Sequence, residues 1–390
     1  MTTLTQLIEH YCPDSVECVK LGDVAIRQRG IAITAAKMRE LDSPNGGIVV
    51  FGAGATRALI DSSEIASTNI HTKDSVIVKA RGHVGFEMCT VPFTTKSELW
   101  SYRSDDPKLN IRYGYYFLSE HSGELAEIAR LNGVKLPQLK VSDTDNYLIP
   151  LPPREVQDAI VERLDAFAAL IESLDSEITL REKRFEYFRE QLLTFDESDC
   201  VECVKLGGAA EIITGKTPKT SEPALWGGST PFVTPTDFAN GYDSHGRTAR
   251  SVSDQALQAA KNKIVAPGAT LVTCIGASLG GVAFATEQCL TNQQINAVVP
   301  SEKLTPRFIY YVMQESADYL RSLGGSGTMP IVNKAKFSEF TLPLPSLEVQ
   351  QDIADKLDTM QALIDNLKQE RELRKSQFEY YREKLLTFNS

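Results

Sequence analysis

Two stretches of the chain repeat the same rhythm of apolar and polar positions. Residues 150–195 and 343–388 align without a gap, and about 25 of the 46 aligned positions are identical. Each begins with prolines; after that start neither contains Pro or Gly, and apolar residues recur at alternating spacings of four and three. This heptad stripe predicts a long helix that needs a helical partner. The two copies are expected to pack on each other as an antiparallel coiled coil.

The length of these helices indicates a spacer. About 42 residues at about 1.5 Å each span roughly 60 Å, which exceeds the width of a small domain. An ordinary helical hairpin would pack in the same way but would not explain why the copies enclose a non-helical segment. Arg181, Arg371 and Arg374 interrupt the apolar stripe. We expect them to meet acidic residues of the opposite helix and fix its register.

A second repeat precedes each globular segment. The motif VECVKLG occurs at 16–22 and again at 201–207, and Pro137 near the end of the first globular segment matches Pro330 in the second. The chain is thus built twice from one motif, one globular segment and one long helix, which predicts internal pseudo-twofold symmetry. The predicted segments are a first globular domain at 1–149, a central spacer helix at 150–197, a second globular domain at 198–342 and a C-terminal spacer helix at 343–390.

Patterning inside the globular segments predicts mixed α and β structure. The β-branched runs at 75–85 and 270–281 end in glycine-containing turns, as strands do. One helix is expected in each domain, over about 111–130 and about 305–322. The fold class is therefore α+β, with two globular mixed α/β domains separated by two long antiparallel coiled-coil helices.

The distribution of charge permits a polyanionic partner despite the net charge of −10. Residues 154–200 hold 6 basic and 13 acidic side chains, and residues 346–390 hold 7 and 9, so these segments supply −7 and −2 of the total. The globular domains are close to neutral and can present basic faces. The sequence has no run of 18 apolar residues and no signal-peptide pattern at its start, so we expect no membrane association and a cytoplasmic location.

The cysteines and glycines predict neither a metal site nor a cofactor site. The seven cysteines do not suggest a disulfide framework. Cys12 with Cys18 and Cys200 with Cys203 could form a four-thiolate zinc site, but the first pair is spaced too widely for that pattern. The run VVFGAGA at 49–55 lacks the third glycine of a dinucleotide loop, so we interpret it as a strand and turn.

At this point the motifs resemble those of a known family, the specificity subunit of type I restriction-modification systems. The resemblance covers essentially the whole chain. The first domain keeps the order of the family's elements in GGIVVFGAGA, VIVKARGHVG and PFTTK but is less typical than the second. The motifs that carry the resemblance are PDSVECVKLG, the proline-rich helix start followed by EVQ, the helix ends FEYFREQLLTF and FEYYREKLLTF, and TGKTP, PFVTPTDF, LVTCIGASLGG and TNQQINAVVP.

The resemblance implies a non-catalytic protein that recognises double-stranded DNA. Each of two target-recognition domains would bind one half of a bipartite site, and the helices would set the gap and dock two modification (methyltransferase) subunits. Those partners would bind S-adenosylmethionine and methylate adenine, and restriction (motor) subunits, where the system includes them, would use ATP and magnesium. The chain has neither a methyltransferase N/D-P-P-Y/F motif nor a Walker A motif, so it has no predicted catalytic residue.

Candidate DNA contacts follow from side-chain chemistry. Lys, Arg and small hydroxyls suit phosphates, and Arg, Asn and Gln suit base edges, with Asn and Gln able to pair bidentately with adenine. In the first domain the candidates are Arg27, Arg29, Lys73, Lys79, Arg81, His83 and Lys96. In the second domain they are Lys216, Thr217, Lys219, Thr234, Thr236, Asp237, Ser278, Asn292, Gln293 and Gln294.

The outer faces of the long helices carry the candidate partner-binding residues. Tyr187 and Glu190 in the first copy match Tyr380 and Glu383 in the second, as expected if two identical subunits bind equivalent surfaces. An alternative from another class is a structural adaptor, in which the coiled coil separates two modules that bind something other than DNA. Steeply salt-dependent binding to random duplex would distinguish the two.

Overall fold

The computed structural model describes residues 16–132, 135–196, 201–239, 247–325 and 329–388. The first globular part consists of short strands with helices on one side. Its strands are β1 Cys18–Lys20, β2 Ile26–Arg29, β3 Ile48–Phe51, β4 Arg57–Ile60, β5 Ser75–Lys79, β6 Gly85–Cys89, β7 Phe93–Thr95, β8 Trp100–Arg103 and β9 Leu148–Pro150. Its α-helices are α1 Leu21–Val24, α2 Ala35–Leu41, α3 Ile111–Glu120, α4 Ser122–Leu131 and α5 Val141–Asp145. Two 3₁₀ turns occupy Ser62–Glu64 and Ser67–Asn69.

After the long helix α6, Arg154–Leu193, a second globular part follows the same plan. Its strands are β10 Glu202–Lys205, β11 Ala210–Thr214, β12 Trp226–Val233, β13 Ser251–Val252, β14 Thr270–Thr273, β15 Val282–Phe284, β16 Leu290–Thr291, β17 Ile295–Pro300 and β18 Thr341–Leu344. Its α-helices are α7 Leu206–Ala209, α8 Pro235–Ala239, α9 Asp254–Ala259, α10 Pro306–Glu315, α11 Ala317–Leu323 and α12 Lys334–Ser338, with 3₁₀ turns at Pro223–Leu225 and Lys261–Lys263. The second long helix, α13, spans Leu347–Leu386.

The two globular parts share one sheet topology. A four-stranded antiparallel sheet has the order β2-β8-β5-β6 in the first part and β11-β17-β14-β15 in the second. A three-stranded sheet has the order β4-β3-β7 and β13-β12-β16, and its β3–β7 and β12–β16 pairs are parallel. The VECVKLG repeats form the edge pairs β1–β9 and β10–β18. The sequence repeat is therefore also a repeat of fold, including regions where the residues differ.

Two glycines show how closely the repeat is kept. A Cβ atom added to Gly30 would lie 2.3 Å from the Lys96 carbonyl oxygen, and one added to Gly215 would lie 2.1 Å from that of Asn292. Such distances exclude any side chain, because both opposing atoms belong to backbone. The chain that leaves β2 or β11 thus meets the end of β7 or β16 through the same close backbone contact.

The single helix predicted for each domain is wrong in one respect, since each is two helices. In the first part the break is at His121, whose ring stacks on Phe117 with centroids 4.1 Å apart and lies 2.9 Å from the Phe117 carbonyl oxygen. In the second part Ser316 separates α10 from α11. Both residues have ψ close to zero, which interrupts the regular helical geometry. Gly123 lies two residues after the first break, whereas no Pro or Gly lies beside the second.

The long helices contribute to the hydrophobic cores of the globular parts. Val156, Ile160 and Leu164 of α6 are buried against α3 and β5, and Ile353 and Leu357 of α13 are buried against α10. The heptad stripe therefore serves two purposes, because its first turns complete a domain core and its later turns contact the other helix. This continuity fixes each globular part on the start of the helix that follows it in the chain.

The chain forms two compact units, one extending to Asp175 and including the segment from Gln369, the other running Ser176–Lys368. In the first unit Phe167 of α6 stacks on Tyr381 of α13 at 5.4 Å. In the second, Glu182 of α6 pairs with Lys368 of α13 at 2.7 Å. Within each unit the helices run antiparallel, which confirms the predicted pairing. The four predicted segments divide the chain by sequence, whereas the two units divide it by spatial contacts. The division into units cuts through both long helices, so each helix contributes to both units.

The prediction for the arginines in the stripe is only partly correct. Arg371 reaches across to Asp175 of the other helix at 2.8 Å. Arg181 instead pairs with Glu177, and Arg374 with Glu370, each four residues earlier on its own helix. Residues four apart lie next to each other on a helix, so each of these arginines pairs with the glutamate on its own helix instead of one on the other helix. Among the described helices, none is long and apolar enough to cross a membrane.

Candidate nucleic-acid interface

A buried glutamine fixes each globular part to its long helix. The side-chain oxygen of Gln157 accepts from the Asn110 amide at 2.9 Å, and its amide donates to the Lys108 and Pro152 carbonyls at 2.7 Å. Gln350 makes the same three bonds, to the backbone of Thr305, Lys303 and Pro345, at 2.9–3.0 Å. Both glutamines are fully buried. This is the physical role of the glutamine in the EVQ motif, which the sequence alone does not reveal.

An aspartate eight residues later, about two helical turns along, forms a second connection. Asp165 accepts from Arg112 at 2.8 Å and from the Tyr116 hydroxyl, and Asp358 accepts from Arg307 at 2.7 Å and from the Tyr311 hydroxyl. Burial, followed by the hydrogen bond to the carboxylate, raises the pKa of Tyr116 and Tyr311 well above the ordinary value. Sequence reasoning missed both aspartates, although their identity in the two copies was a usable signal.

The later part of each helix holds the globular part of the opposite repeat. Arg382 of α13 pairs with Glu120 at the end of α3, and Arg189 of α6 pairs with Glu315 at the end of α10, the latter at 2.8 Å. Each recognition domain is therefore held by the start of one helix and the end of the other. Its orientation depends on charge-assisted bonds from both.

In the second domain, three loops bring most of the candidate DNA contacts together. The Lys216 amide donates to the Thr291 carbonyl at 2.9 Å, and the Thr217 hydroxyl donates to the Gln293 side chain at 2.8 Å. The side-chain amide of Asn292 donates to the side-chain oxygen of Gln294 at 2.9 Å. The Gln294 carbonyl also accepts from Cys274 at 2.7 Å, so the loop containing exposed Ser278 begins beside it. This loop cluster comprises residues 215–219, 274–281 and 292–294.

Asp237 and Thr234 are hydrogen-bonded to each other in the structure, and their assignment as DNA contacts stays a prediction. Asp237 is 2% exposed and accepts from the Thr234 amide at 2.7 Å, the Thr234 hydroxyl at 2.6 Å and the Ala249 amide at 2.9 Å. A carboxylate with these three partners holds the start of α8 against the segment at Ala249, and it would have to give up these bonds to contact a base. Thr236 is exposed on the same turn, and Lys219 is exposed but paired with Glu222 at 2.9 Å.

The basic candidates of the first domain divide into paired and unpaired side chains. Arg29, Arg81 and His83 are exposed and have no carboxylate partner among the described residues. The backbone of Arg81 bridges to Gln138, and the next residue, Gly82, donates to the Pro137 carbonyl at 2.9 Å. The paired candidates are Arg27 with Asp145, Lys73 with Asp105, Lys79 with Glu87 and Lys96 with Glu98.

The matched prolines belong to the same turn in both domains. The Pro330 carbonyl accepts from Gly276 at 2.9 Å, as Pro137 does from Gly82. Arg81 and His83 of the first domain thus occupy the loop that carries Ser278 in the second. The sequence candidates chosen from different motifs therefore fall on equivalent loops of the repeated fold.

The four candidate partner-binding residues lie on the exposed faces of the long helices. Tyr187 is 57% exposed and Tyr380 is 56% exposed, and Glu190 and Glu383 are also exposed. Two residues earlier, the phenylalanine of each F-E-Y sequence points inward; the Phe185 ring contacts that of Tyr311 at 6.1 Å. The repeated motif thus combines an inward anchor with an outward aromatic.

Within the described ranges, no group of three or more His, Cys, Asp or Glu side chains is arranged to hold a metal. Cys18 and Cys203 are exposed, whereas Cys89, Cys274 and Cys289 are buried. Cys12 and Cys200, the other members of the conceivable zinc set, lie outside the described residues.

Comparison with known proteins identifies the family. The model of the type I restriction modification DNA specificity domain matches residues 13–180 and again 199–374. The chain belongs to this family. The two matches begin at the two VECVKLG repeats and extend into the two long helices, so the family unit is the repeat itself.

Individual relatives of this DNA specificity family agree. The chain is 30% identical to the Escherichia coli type I restriction enzyme EcoR124I/EcoR124II specificity subunit over 306 residues, 73% of this chain and 72% of the relative. It is 31% identical to the Methanocaldococcus jannaschii type I restriction enzyme MjaIX specificity subunit over 172 residues, 43% of this chain and 40% of that one.

A solved structure shows the same fold. The crystal structure of a type I restriction-modification system S subunit from M. genitalium matches with a TM-score of 0.66 at 17% identity, covering 96% of this chain and 97% of that one. The predicted family, the predicted fold class and the role of DNA specificity subunit are confirmed. The chain is a recognition component with two DNA-recognition domains.

Proposed function

We propose that this specificity subunit recognises a bipartite double-stranded DNA site, one half by each globular domain. The observation that carries the proposal is the duplication of one recognition fold, with equivalent loops presenting different side chains. Duplication of the framework supports two similarly placed contact surfaces, and the different loop residues support two different half-sites. Each half-site would be recognised in the major groove, where every base pair presents a distinct pattern of donors and acceptors.

The proposed contact surface of the second domain is the loop cluster. Lys216, Thr217 and Ser278 suit phosphate oxygens, and the amides of Asn292, Gln293 and Gln294 suit the adenine edge. The hydrogen bonds among these amides hold them in place before DNA arrives, which reduces the entropy lost on binding. Exchange of these internal bonds for base contacts is expected at Gln293, whose side chain is exposed.

The proposed contact surface of the first domain consists of Arg29, Arg81 and His83. The paired cations Lys79 and Lys96 would first have to leave a carboxylate, which makes them weaker phosphate ligands than an unpaired arginine. The loop equivalent to 274–281 carries two basic or imidazole groups here, so the first half-site is expected to involve more phosphate or guanine contacts than the second.

The long helices would set the gap between half-sites and dock two methyltransferase subunits at Tyr187 with Glu190 and Tyr380 with Glu383. S-adenosylmethionine, ATP and magnesium would belong to the methyltransferase and restriction subunits. The acidic helices support this arrangement, because their charge opposes contact with the DNA backbone. No catalytic or cofactor site is proposed on this chain.

Mapping methylated adenines in the source organism, with and without this gene, tests the proposal. Loss of a split motif, two short halves around a fixed non-specific gap, is the expected result. Loss of a continuous motif, or no loss, would refute it. Restoring the intact gene on a plasmid should restore the same motif, which controls for effects on neighbouring genes.

A further inference from the structure

Arg250 is an exposed arginine held flat against an aromatic ring beside the loop cluster. Its guanidinium carbon lies 3.5 Å from the centroid of the Trp226 ring, and the Trp226 ring meets Phe232 edge-on at 5.1 Å. Phe232 is buried, and its backbone amide donates to the Arg250 carbonyl at 3.0 Å. The backbone of this arginine is therefore fixed by the core of the domain, and its guanidinium is held in contact with the indole ring.

The same tryptophan connects Arg250 to the candidate interface. Its indole N–H donates to the Lys219 carbonyl at 3.1 Å, so the ring braces the 215–219 loop on which Lys216 and Thr217 lie. A cavity of about 290 Å³ opens beside it, lined by that loop, Leu225 and the alanines of α9. Arg250 thus stands at the edge of the surface already assigned to DNA.

The first domain offers a contrast in the corresponding strand pair. Arg57 of β4 lies over the Phe51 ring at 5.2 Å, but its guanidinium also pairs with Glu87 at 2.5 Å. Arg250 has no carboxylate partner among the described residues of the second domain. To bind two hydrogen-bond acceptors, the guanidinium of Arg250 would have to release only water, whereas that of Arg57 would first have to break its ion pair with Glu87.

We propose that Arg250 determines specificity by recognising a guanine in the half-site bound by the second domain, with Trp226 as its positioning residue. This inference rests on the proposed function. The guanidinium fork matches the O6 and N7 acceptors of guanine, and the arginine–guanine pair is the commonest specific base contact. The same fork can also bind a phosphate, but Lys216 and Thr217 already supply groups for phosphate. The stacking on Trp226 therefore favours a base edge.

The test uses the whole restriction-modification complex in the source organism, with the chromosomal gene replaced by variants. Arg250→Ala should make one guanine position of one half-site degenerate, reducing its base preference by about tenfold or more. The other half-site and the gap should not change. Arg250→Lys, which keeps the charge and loses the fork, should relax the same position, and Trp226→Leu should do so more weakly. Arg57→Ala is the matched control and should leave that guanine required.

Three outcomes would overturn the inference: a half-site without guanine on either strand, an unchanged motif in Arg250→Ala, or uniformly weaker methylation with an unchanged motif, which would indicate a phosphate contact. If Arg250→Ala abolished methylation altogether, the Arg250→Lys variant would be used instead. An Arg250→Lys variant that still required every base of the motif would also contradict the inference. A wild-type strain without any split motif would instead refute the proposed function, so the two failures are distinguishable.

Discussion

At the residue scale, the decisive groups are polar side chains that the core has partly enclosed. Asp165 and Asp358 each bind an arginine and a tyrosine of a recognition-domain helix, and one of these arginines, Arg307, also lies over the Tyr310 ring at 4.5 Å. A carboxylate that satisfies two donors orients the domain as well as stabilising it. Neutralising it should affect orientation before it affects folding.

Asp358→Asn should lower the stability of the second domain by about 1–2 kcal/mol, since two charge-assisted hydrogen bonds weaken while the site stays partly open to water. Hydrogen exchange of α10 amides measures the change. Asp355→Asn, three residues earlier on the exposed helix face, is the matched control and should leave α10 protection as it is. Equal loss in both variants would contradict the role assigned to Asp358.

The cysteines give a second residue-scale prediction. Burial raises the pKa of the Cys274 thiol to about 11, and its hydrogen bonds with Asn296 oppose this only partly. At pH 8 this thiol stays protonated and enclosed, whereas Cys203 is exposed. Iodoacetamide labelling of the native protein, read by peptide mass spectrometry, should modify Cys203 rapidly and spare Cys274. Similar rates at the two cysteines would contradict the described packing of β14.

At the element scale, the heptad pattern predicted both long helices and their pairing because the pattern is long and repeats every seven residues. The breaks at His121 and Ser316 were not predicted. Gly123 beside the first break was a usable signal, whereas the second break has neither Pro nor Gly beside it. The ion-pair partners were predicted only in part. The sequence distinguishes Arg374, which has Glu370 four residues earlier on its own helix, from Arg371, which has Leu367 there. The pairing of Arg371 with Asp175 depends on how the two helices are aligned.

The glutamine connection yields an element-scale prediction. Gln350→Ala leaves the Thr305 amide and two carbonyls without their partner in a buried place, which should cost about 2–4 kcal/mol. Gln351→Ala, the adjacent exposed glutamine, should change stability by less than about 0.5 kcal/mol. Urea unfolding, with hydrogen exchange at Thr305 as the local readout, compares them. Unchanged protection of Thr305 in Gln350→Ala would show that the glutamine does not hold the domain on its helix.

At the scale of the whole molecule, repetition made the sequence informative and also limited it. Family, fold class and the general location of the candidate interface were predictable, because the framework is written twice. The surroundings of the individual candidate residues were not, because nothing in one sequence separates an exposed Thr236 from a buried Asp237 one residue later. Arg250 was missed for the same reason: only the structure places it on Trp226.

The repeat also makes partner docking testable by stoichiometry. Alanine at Tyr187 and Glu190 should remove one of two docking sites and leave the equivalent site at Tyr380 and Glu383, so native mass spectrometry should find one methyltransferase subunit per chain instead of two. All four substitutions together should leave no bound methyltransferase subunit.

Truncating an aromatic residue at the centre of an interface can lower affinity by about 2 kcal/mol or more, enough to show at micromolar concentrations. Tyr319→Ala, exposed to 56% on α11, is the control with equal aromatic exposure. Two bound subunits in the fourfold variant would place the docking surface elsewhere, whereas loss of both from either double variant would mean that the two sites bind cooperatively and are not independent copies.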